Sequence, residues 1–383
     1  MTRQRQPSAI ILAAGYSRRM QRFKPLLALG GRTVLERVVC LYRSAGVTDI
    51  RVVTGFRSQT IRSVLTALPV VVVHNPAHDE GMFSSVLAGI NTLASDVPSF
   101  FVHPVDIPLV RRHTLAMLMN AFDQLPSPVA YPVFDDKRGH PPLIKGVLKE
   151  TILSHDGGGG LSALLRRFDA TALDVQVADE GVLLDADTPD DFKYLETRLA
   201  TSDRLTEDEC RVLMEKVGKL PGPLIHHCRR VARVAAALAR AVNDSGGALD
   251  VRLVQSAARV HDVARVEKNH AAAGARLLHA MGFPAMAALV ASHMEMRLSQ
   301  DSPLDEAQIV YLADKLVAGT TLVSLKQRFD AKLKKYGQDP KVLEKIDQRQ
   351  RAALAIQRKV EQTSGQTMGQ LLNKVGITNR RQP

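Results

Sequence analysis

Along residues 8–110, short apolar runs alternate with segments whose apolar positions recur at helical spacing: SAIILAAG, VLERVVCLYRSAG, IRVVTGF, QTIRSVLTAL, VVVVHN, SSVLAGINTL and SFFVHPVDIP. A chain that switches repeatedly between the two periods predicts β-α-β-α units. These give a mostly parallel sheet covered by helices, with ligands at the carboxyl ends of the strands. A less regular section follows to about residue 200. It contains the glycine run Gly157 to Gly160 and the segment GVLLDADTPDDFKYLETRLA, an acidic turn ahead of an amphipathic helix. From about residue 203 strand-like runs vanish and helical periodicity takes over, as in VARVAAALARAV, VRLVQSAARV, AAAGARLLHAMG and IVYLADKLVAG. The expectation is therefore an α/β Rossmann-like domain over 1–200 and an all-α domain over 203–330, followed by a basic helical extension over 331–383. The polar, acidic stretch TSDRLTEDE marks the boundary, with Thr206 placed to cap the helix that follows.

Length supports the division, since 383 residues exceed what one core usually serves. No uninterrupted apolar run approaches the roughly 20 residues of a membrane-spanning helix. The opening MTRQRQPSAIILAAG carries two arginines, but its apolar stretch runs directly into glycine and charge. It lacks the layout of a signal peptide, so a cytoplasmic location without a membrane partner is expected. Cys40, Cys210 and Cys228 are too few and too scattered for a disulfide framework or a metal knuckle. The formal net charge is +12, but residues 331–383 hold twelve Lys and Arg against four Asp and Glu, so the excess is mostly a property of the tail. With 4% aromatic residues and no Trp, stacking surfaces for nucleic acid are scarce. Anionic small molecules are the expected partners, and steering of phosphate substrates is one use for a basic tail.

Charge placement turns this outline toward chemistry. The strand AIIL runs into AAGYSRRMQRFKPLL, a glycine-containing loop with Arg19 and Lys24 at a strand's carboxyl end. Small residues let backbone N–H groups approach a triphosphate, and the two cations can neutralise its oxygens. The string LAAGxSxRMxxxK with PLL resembles the MobA-like nucleotidyltransferases. The resemblance continues in order through VTGF, HNPAHDEGMFSSV, PVDIPL, GHPPLI and LLDADTPDDF, over roughly residues 8–200. Within that superfamily, LAAG in place of LAGG, with NPxxxEGMxxSV downstream, looks like the molybdenum cofactor cytidylyltransferases.

By position, the resemblance implies that Leu12, Ala13, Ala14, Gly15, Arg19 and Lys24 hold the triphosphate and base edge, and that Gly81 and Ser85 line the nucleoside pocket. Asp106 falls where the family keeps its magnesium-binding aspartate, with Val105 in place of the usual smaller residue. Asp187 matches the second metal-binding position, and Asp185 is its close alternative. The chemistry asks for this independently. Attack of an acceptor phosphate on the α-phosphorus of an NTP brings two anions together, and Mg²⁺ held by two carboxylates relieves the repulsion. Arg19, Lys24 and Asp106 are thus the candidate catalytic residues, acting by positioning and charge neutralisation without a covalent intermediate. His140 in RGHPPLI reads equally as an acceptor-facing group and as a turn residue. The run DGGGGLSALLRR serves equally as an anion-facing loop and as a flexible connection.

In the second half, LIHHCRRVARVAAALA, AARVHDVARVEKNHAAAGARLL, VASHMEM and IVYLADKLV carry His227, His261, Asp262, His270, His293 and Asp314 on successive helical segments. The adjacent His261-Asp262 pair resembles the HD superfamily, whose phosphohydrolases cleave phosphate esters and anhydrides. That resemblance favours His227 over His226. So many imidazole and carboxylate donors exceed one tetrahedral ion. They imply one or two divalent transition metals (Mn, Fe, Zn, Co or Ni), with Asp262 bridging a pair. Arg265 stands where many HD enzymes have lysine, and as a permanent fork it suits phosphate binding better than proton transfer.

Together the two resemblances imply CMP transfer from CTP to molybdopterin or its metal-loaded form, with pyrophosphate released. They also imply hydrolysis of a related phosphorylated metabolite in the second half and contact with a molybdoenzyme or chaperone. Two other readings stay open: transfer to another phosphorylated acceptor such as a sugar or polyol phosphate, and a regulatory protein that senses nucleotide without turnover.

Overall fold

The computed structural model describes residues 6–296, 298, 303–336 and 339–378. The two arginines of the opening segment and the last five residues of the basic tail lie outside them. The chain divides into two compact units, Met1–Ser202 and Asp203–Pro383. Among the described residues no helix is long and apolar enough to cross a membrane.

The first unit begins with β1 (Ser8–Ala13), buried at every position. A small antiparallel ladder, β2 (Ala28–Leu29) with β3 (Arg32–Thr33), leads into α1 (Val34–Ser44). Thr33 and Glu36 close a capping box at that helix start, each satisfying the other's backbone N–H. There follow β4 (Ile50–Thr54), α2 (Ser58–Leu65), β5 (Val71–His74), α3 (Met82–Asn91), β6 (Ser99–Pro104) and α4 (Arg112–Gln124). The irregular section supplies β7 (Val129–Phe134), β8 (Lys137–Arg138), β9 (Leu143–Lys145), α5 (Lys149–Leu153), α6 (Gly160–Leu165), β10 (Leu173–Gln176) and α7 (Pro189–Ala200).

The main sheet runs in the order β10-β7-β9-β6-β1-β4-β5, with β8 paired to β7. All pairings are parallel except those of β9 with β6 and β7 and of β8 with β7. β1 is central, with Leu12 level with Val53 on one side and Pro104 on the other. Covered on both faces, it is a continuous apolar run rather than an alternating one. Gly89 lets α3 settle on it: a Cβ there would come within 2.5 Å of Ile10 Cγ2. The strands that end nearest β1, namely β4 and β6, therefore deliver their loops beside the loop that follows β1.

The second unit opens with α8 (Glu207–Val212), where Thr206 and Glu209 form a capping box, and continues through a π-helical turn. Then come α9 (Gly222–Asn243), α10 (Val251–Val260), α11 (His270–Ala280), α12 (Pro284–Ser292) and α13 (Glu306–Lys315). One feature departs from the all-helical expectation: β11 (Val317–Ala318) and β12 (Thr321–Leu322) form a two-residue ladder around Gly319. Two paired residues are too short to leave an alternating pattern in sequence. α14 (Leu325–Tyr336), α15 (Pro340–Ser364) and α16 (Met368–Thr378) follow. These helices belong to the same unit: α15 buries Ile346, Ala353, Ile356 and Val360, and Tyr311 Oη donates to the Arg349 carbonyl at 3.1 Å.

Candidate active sites

In the first unit, the loop after β1 is fixed by its neighbours. Val105 N donates to the Leu12 carbonyl at 3.1 Å and Phe56 N to the Ala14 carbonyl at 3.2 Å, tying the loop to the ends of β6 and β4. Ala13 and Ala14 are buried, while nothing lies within 4 Å of where a Cβ on Gly15 would stand. Lys24 N donates to Ser17 Oγ at 3.1 Å, which folds the loop back on itself. The Lys24 side chain then runs inward, and its Nζ meets Asp106 Oδ2 at 3.1 Å and Asp187 Oδ1 at 2.6 Å. Arg19 Nη2 reaches the other oxygen of Asp187 at 2.7 Å. Ala186 N donates to the Asp106 carbonyl at 2.8 Å, holding two distant stretches of chain side by side.

Asp106, Asp187, Arg19 and Lys24 are thereby brought together. Asp185 stands close to them: burial first, and then the charges of Asp187 and Asp106, push its carboxyl above the ordinary range. Burial would also raise Asp187, but Lys24 and Arg19 outweigh it and hold that carboxyl down. Clustered hard oxygen donors fit Mg²⁺, and two cations within reach fit a phosphate chain.

Gly81 has φ +105 with open space where a Cβ would point. Ser85 is buried and accepts a hydrogen bond from Asn75 Nδ2 at 3.0 Å. A cavity of about 580 Å³ is lined by Leu12, Phe83, Pro104, Tyr131, Arg138 and His140, with Gly159 and Gly160 also at its wall. Of the nucleotide residues expected from sequence, Leu12 alone lines it. His140, left open between turn and acceptor contact, faces this cavity, and burial draws its pKa down. The reading of the sequence missed Tyr131 and Arg138. Arg138 stacks 4.5 Å over the Tyr131 ring and is held by Asp174 at 2.6 Å and Asp169 at 2.5 Å. The only cue was a basic pair just ahead of GHPPLI.

In the second unit the helix ends do the placing. His227 lies on α9, and His261 and Asp262 directly follow α10. His270 opens α11, His293 directly follows α12, and Asp314 sits one residue from the end of α13. His261, Asp262, His293 and Asp314 are all buried. Three imidazoles are oriented by main-chain carbonyls through Nδ1: His227 by Gly319 at 2.8 Å, His261 by Ala258 at 2.8 Å and His293 by Val290 at 2.6 Å. A neutral ring that donates from Nδ1 keeps a lone pair on Nε2. The short β11–β12 ladder thus has a purpose, because it carries the Gly319 carbonyl. His226 is exposed, whereas His227 Nε2 lies 3.2 Å from Asp314 Oδ1.

The Nε2 atoms of His270 and His293 lie 3.2 Å and 3.4 Å from Asp262 Oδ1. His261 Nε2 is 3.6 Å from Asp262 Oδ2 and 3.7 Å from Asp314 Oδ1. His261 Nε2, His293 Nε2 and Asp262 Oδ1 are buried and have no hydrogen-bond partner among the described residues. Orphaned donor atoms that converge in this way fit a divalent metal. The donors form two triads, His227–His261–Asp262 and Asp262–His270–His293, each with its ligand atoms within 4.8 Å of one another. Asp262 belongs to both. Burial pushes His261 down to about 4, so its ring is neutral at physiological pH. Burial opposes the charge of Asp262, but the facing imidazoles of His270 and His293, with Arg265 nearby, hold its carboxyl below the ordinary carboxylate range. Arg265 Nη1 stands 3.1 Å from His270 Nε2, at the mouth of the cluster, with its side chain about half exposed.

An α/β unit with a carboxylate pair beside a small-residue loop, joined to a helical unit with a histidine–aspartate centre, pairs two classes of phosphate-handling domain. Residues 9–175 match the family described as MobA-like NTP transferase domain, and residues 224–319 match the HD domain. The chain thus joins a MobA-like NTP transferase domain to an HD domain, and both are domains of enzymes. It is 41% identical over 91 residues to the Bifunctional IPC transferase and DIPP synthase of Rubrobacter xylanophilus, covering 22% of this chain and 21% of that protein. It is 34% identical over 119 residues to the Molybdenum cofactor guanylyltransferase of Xanthomonas euvesicatoria pv. vesicatoria, covering 31% and 57%. It is 27% identical over 187 residues to the Molybdenum cofactor cytidylyltransferase of Escherichia coli K12, covering 48% and 92%. The chain therefore spans about a fifth of the first relative and just over half of the second. A solved structure, Rv0371c from Mycobacterium tuberculosis H37Rv, is 24% identical with a TM-score of 0.45, covering 50% of this chain and 98% of that one.

Proposed function

We propose that the first domain transfers CMP from CTP to molybdopterin, or to its metal-loaded form, and releases pyrophosphate, while the HD domain hydrolyses a phosphorylated metabolite. The observation that carries the transferase reading is the meeting of Lys24 and Arg19 with Asp106 and Asp187 at the end of β1. Asp106 and Asp187, with Asp185 beside them, would hold Mg²⁺, which supplies charge neutralisation between the α- and β-phosphates. Lys24 and Arg19, which stand against the same carboxylates, would bind the phosphate oxygens. The loop at Ala14 and Gly15 offers backbone N–H groups to the same oxygens. The cavity beside Leu12 and Pro104 has room for a bulky acceptor. Its apolar wall excludes water from the reacting phosphate, and Arg138 and His140 give it polar handles. Cytidine over guanosine is favoured by the LAAG loop and by a match that runs along 92% of the cytidylyltransferase relative.

For the HD domain, the two triads would hold one or two transition metal ions, whose chemistry is to activate water against a phosphate ester or anhydride. Arg265 is placed to hold the substrate phosphate, and a bidentate fork suits that task. The transferase reading is tested by supplying purified protein, Mg²⁺ and molybdopterin with CTP, GTP, ATP or UTP separately, and measuring pyrophosphate. CTP is expected to give the fastest release. Equal or better use of GTP would overturn the cytidylyl assignment.

A further inference from the structure

Lys315 ends α13, follows directly on Asp314 and is 1% exposed. Its Nζ donates to Asp314 Oδ2 at 2.6 Å and to the His293 carbonyl at 2.9 Å, and stands 4.4 Å from the centre of the Tyr311 ring. An ammonium has three donors and no acceptor, so two oxygens and a π face leave it satisfied in its charged form. The other oxygen of Asp314 faces His227 and His261, while His293 belongs to the second triad. One buried cation thus grips both Asp314, which faces two histidines of the first triad, and the main chain of His293 in the second. It also occupies the oxygen of Asp314 that points away from the histidines.

We propose that Lys315 is a positioning residue of the HD centre: an internal counter-ion that leaves Asp314 only the oxygen facing His227 and His261 and keeps both triads assembled while no metal is bound. The centre can then load and release metal without losing its fold. This rests on the reading of the triads as a metal site. The physical reason lies in the asymmetry of buried charge. A buried carboxylate with no counter-charge is strongly destabilising, and either an ammonium or a divalent cation relieves it. Lys315 should therefore matter most in the metal-free protein and less once a metal shares the charge of Asp314. Its removal should leave metal binding as tight or tighter, because a neighbouring positive charge has gone.

The test uses the full chain as wild type, Lys315→Met and the double variant Asp314→Asn/Lys315→Met, melted in EDTA and in saturating Mn²⁺, with Mn²⁺ binding followed by calorimetry. Lys315→Met is expected to melt about 10 °C below wild type in EDTA. Less than half of that gap should remain in Mn²⁺, with Mn²⁺ affinity equal or higher. An equal loss in both conditions, or weaker Mn²⁺ binding, would overturn the proposal and reduce Lys315 to a packing residue. If the single variant does not fold in either condition, the double variant decides. Recovery in EDTA to within a few degrees of wild type supports the counter-ion role, and failure to recover contradicts it. Wild-type protein that shows neither a Mn²⁺-dependent shift nor heat of binding would remove the metal reading itself, a result distinct from the others.

Discussion

His103 shows how much a single buried side chain can commit. It lies on β6 at 0% exposure, accepting from Tyr42 Oη through Nδ1 at 3.0 Å and donating from Nε2 to the Ile107 carbonyl at 2.9 Å. Burial pushes its pKa down to about 4, so the folded protein keeps it neutral while the unfolded chain binds a proton near the ordinary 6.5. The sign follows from linkage: stability is full above pH 6.5 and declines as pH falls from 6.5 toward 4. The first unit is expected to lose about 2 kcal/mol between pH 7 and pH 5 on this account. Denaturant melts of His103→Gln should show a smaller acid loss than wild type, and an unchanged pH slope would contradict the assignment. Lys24 and Lys315 make the same point with opposite charge. Each is buried beside carboxylates; the sequence marks Lys24 as a cation for a phosphate chain but not as a buried one, and Lys315 carries no mark of burial at all.

Among the elements, the pairing of α3 with β1 governs the proposed nucleotide site, because α3 begins beside Gly81 and β1 ends at the Ala14–Gly15 loop. A Cβ on Gly89 would collide with Ile10 and crowd Val53. Gly89→Val should cost about 1–3 kcal/mol in denaturant melts and raise the KM for the nucleotide several-fold, since it shifts the helix without touching a reacting group. Normal stability in that variant would show that the sheet yields more than the contact implies. The α/β order of the first unit and the helices of the second were legible because their apolar periods are long and distinct. The Thr206 cap was legible because its chemistry is local. The antiparallel course of β9 and the β11–β12 ladder were not, since two or three residues cannot display a period. Arg138 and the cavity it lines were hidden for another reason. They are assembled from β6, β8, α3 and the glycine run, and no one segment carries the signal.

For the molecule as a whole, the proposed function assigns two phosphate chemistries to two compact units, Met1–Ser202 and Asp203–Pro383. Under the proposed function each would use carboxylates to hold a cation, hard oxygen donors in the first and imidazole-rich triads in the second, so the two should fail independently. The most direct test follows the α-phosphorus. CTP labelled at that position, molybdopterin and Mg²⁺ are incubated with wild type, with Asp106→Ala and with Asp262→Ala, and transfer of label to the acceptor is measured. The expected result is robust transfer by wild type and by Asp262→Ala, and a loss of about two to three orders of magnitude in Asp106→Ala. Undiminished transfer in Asp106→Ala, or no labelled acceptor from wild type with any nucleoside triphosphate, would contradict the central claim that the carboxylates beside the β1 loop carry out nucleotidyl transfer.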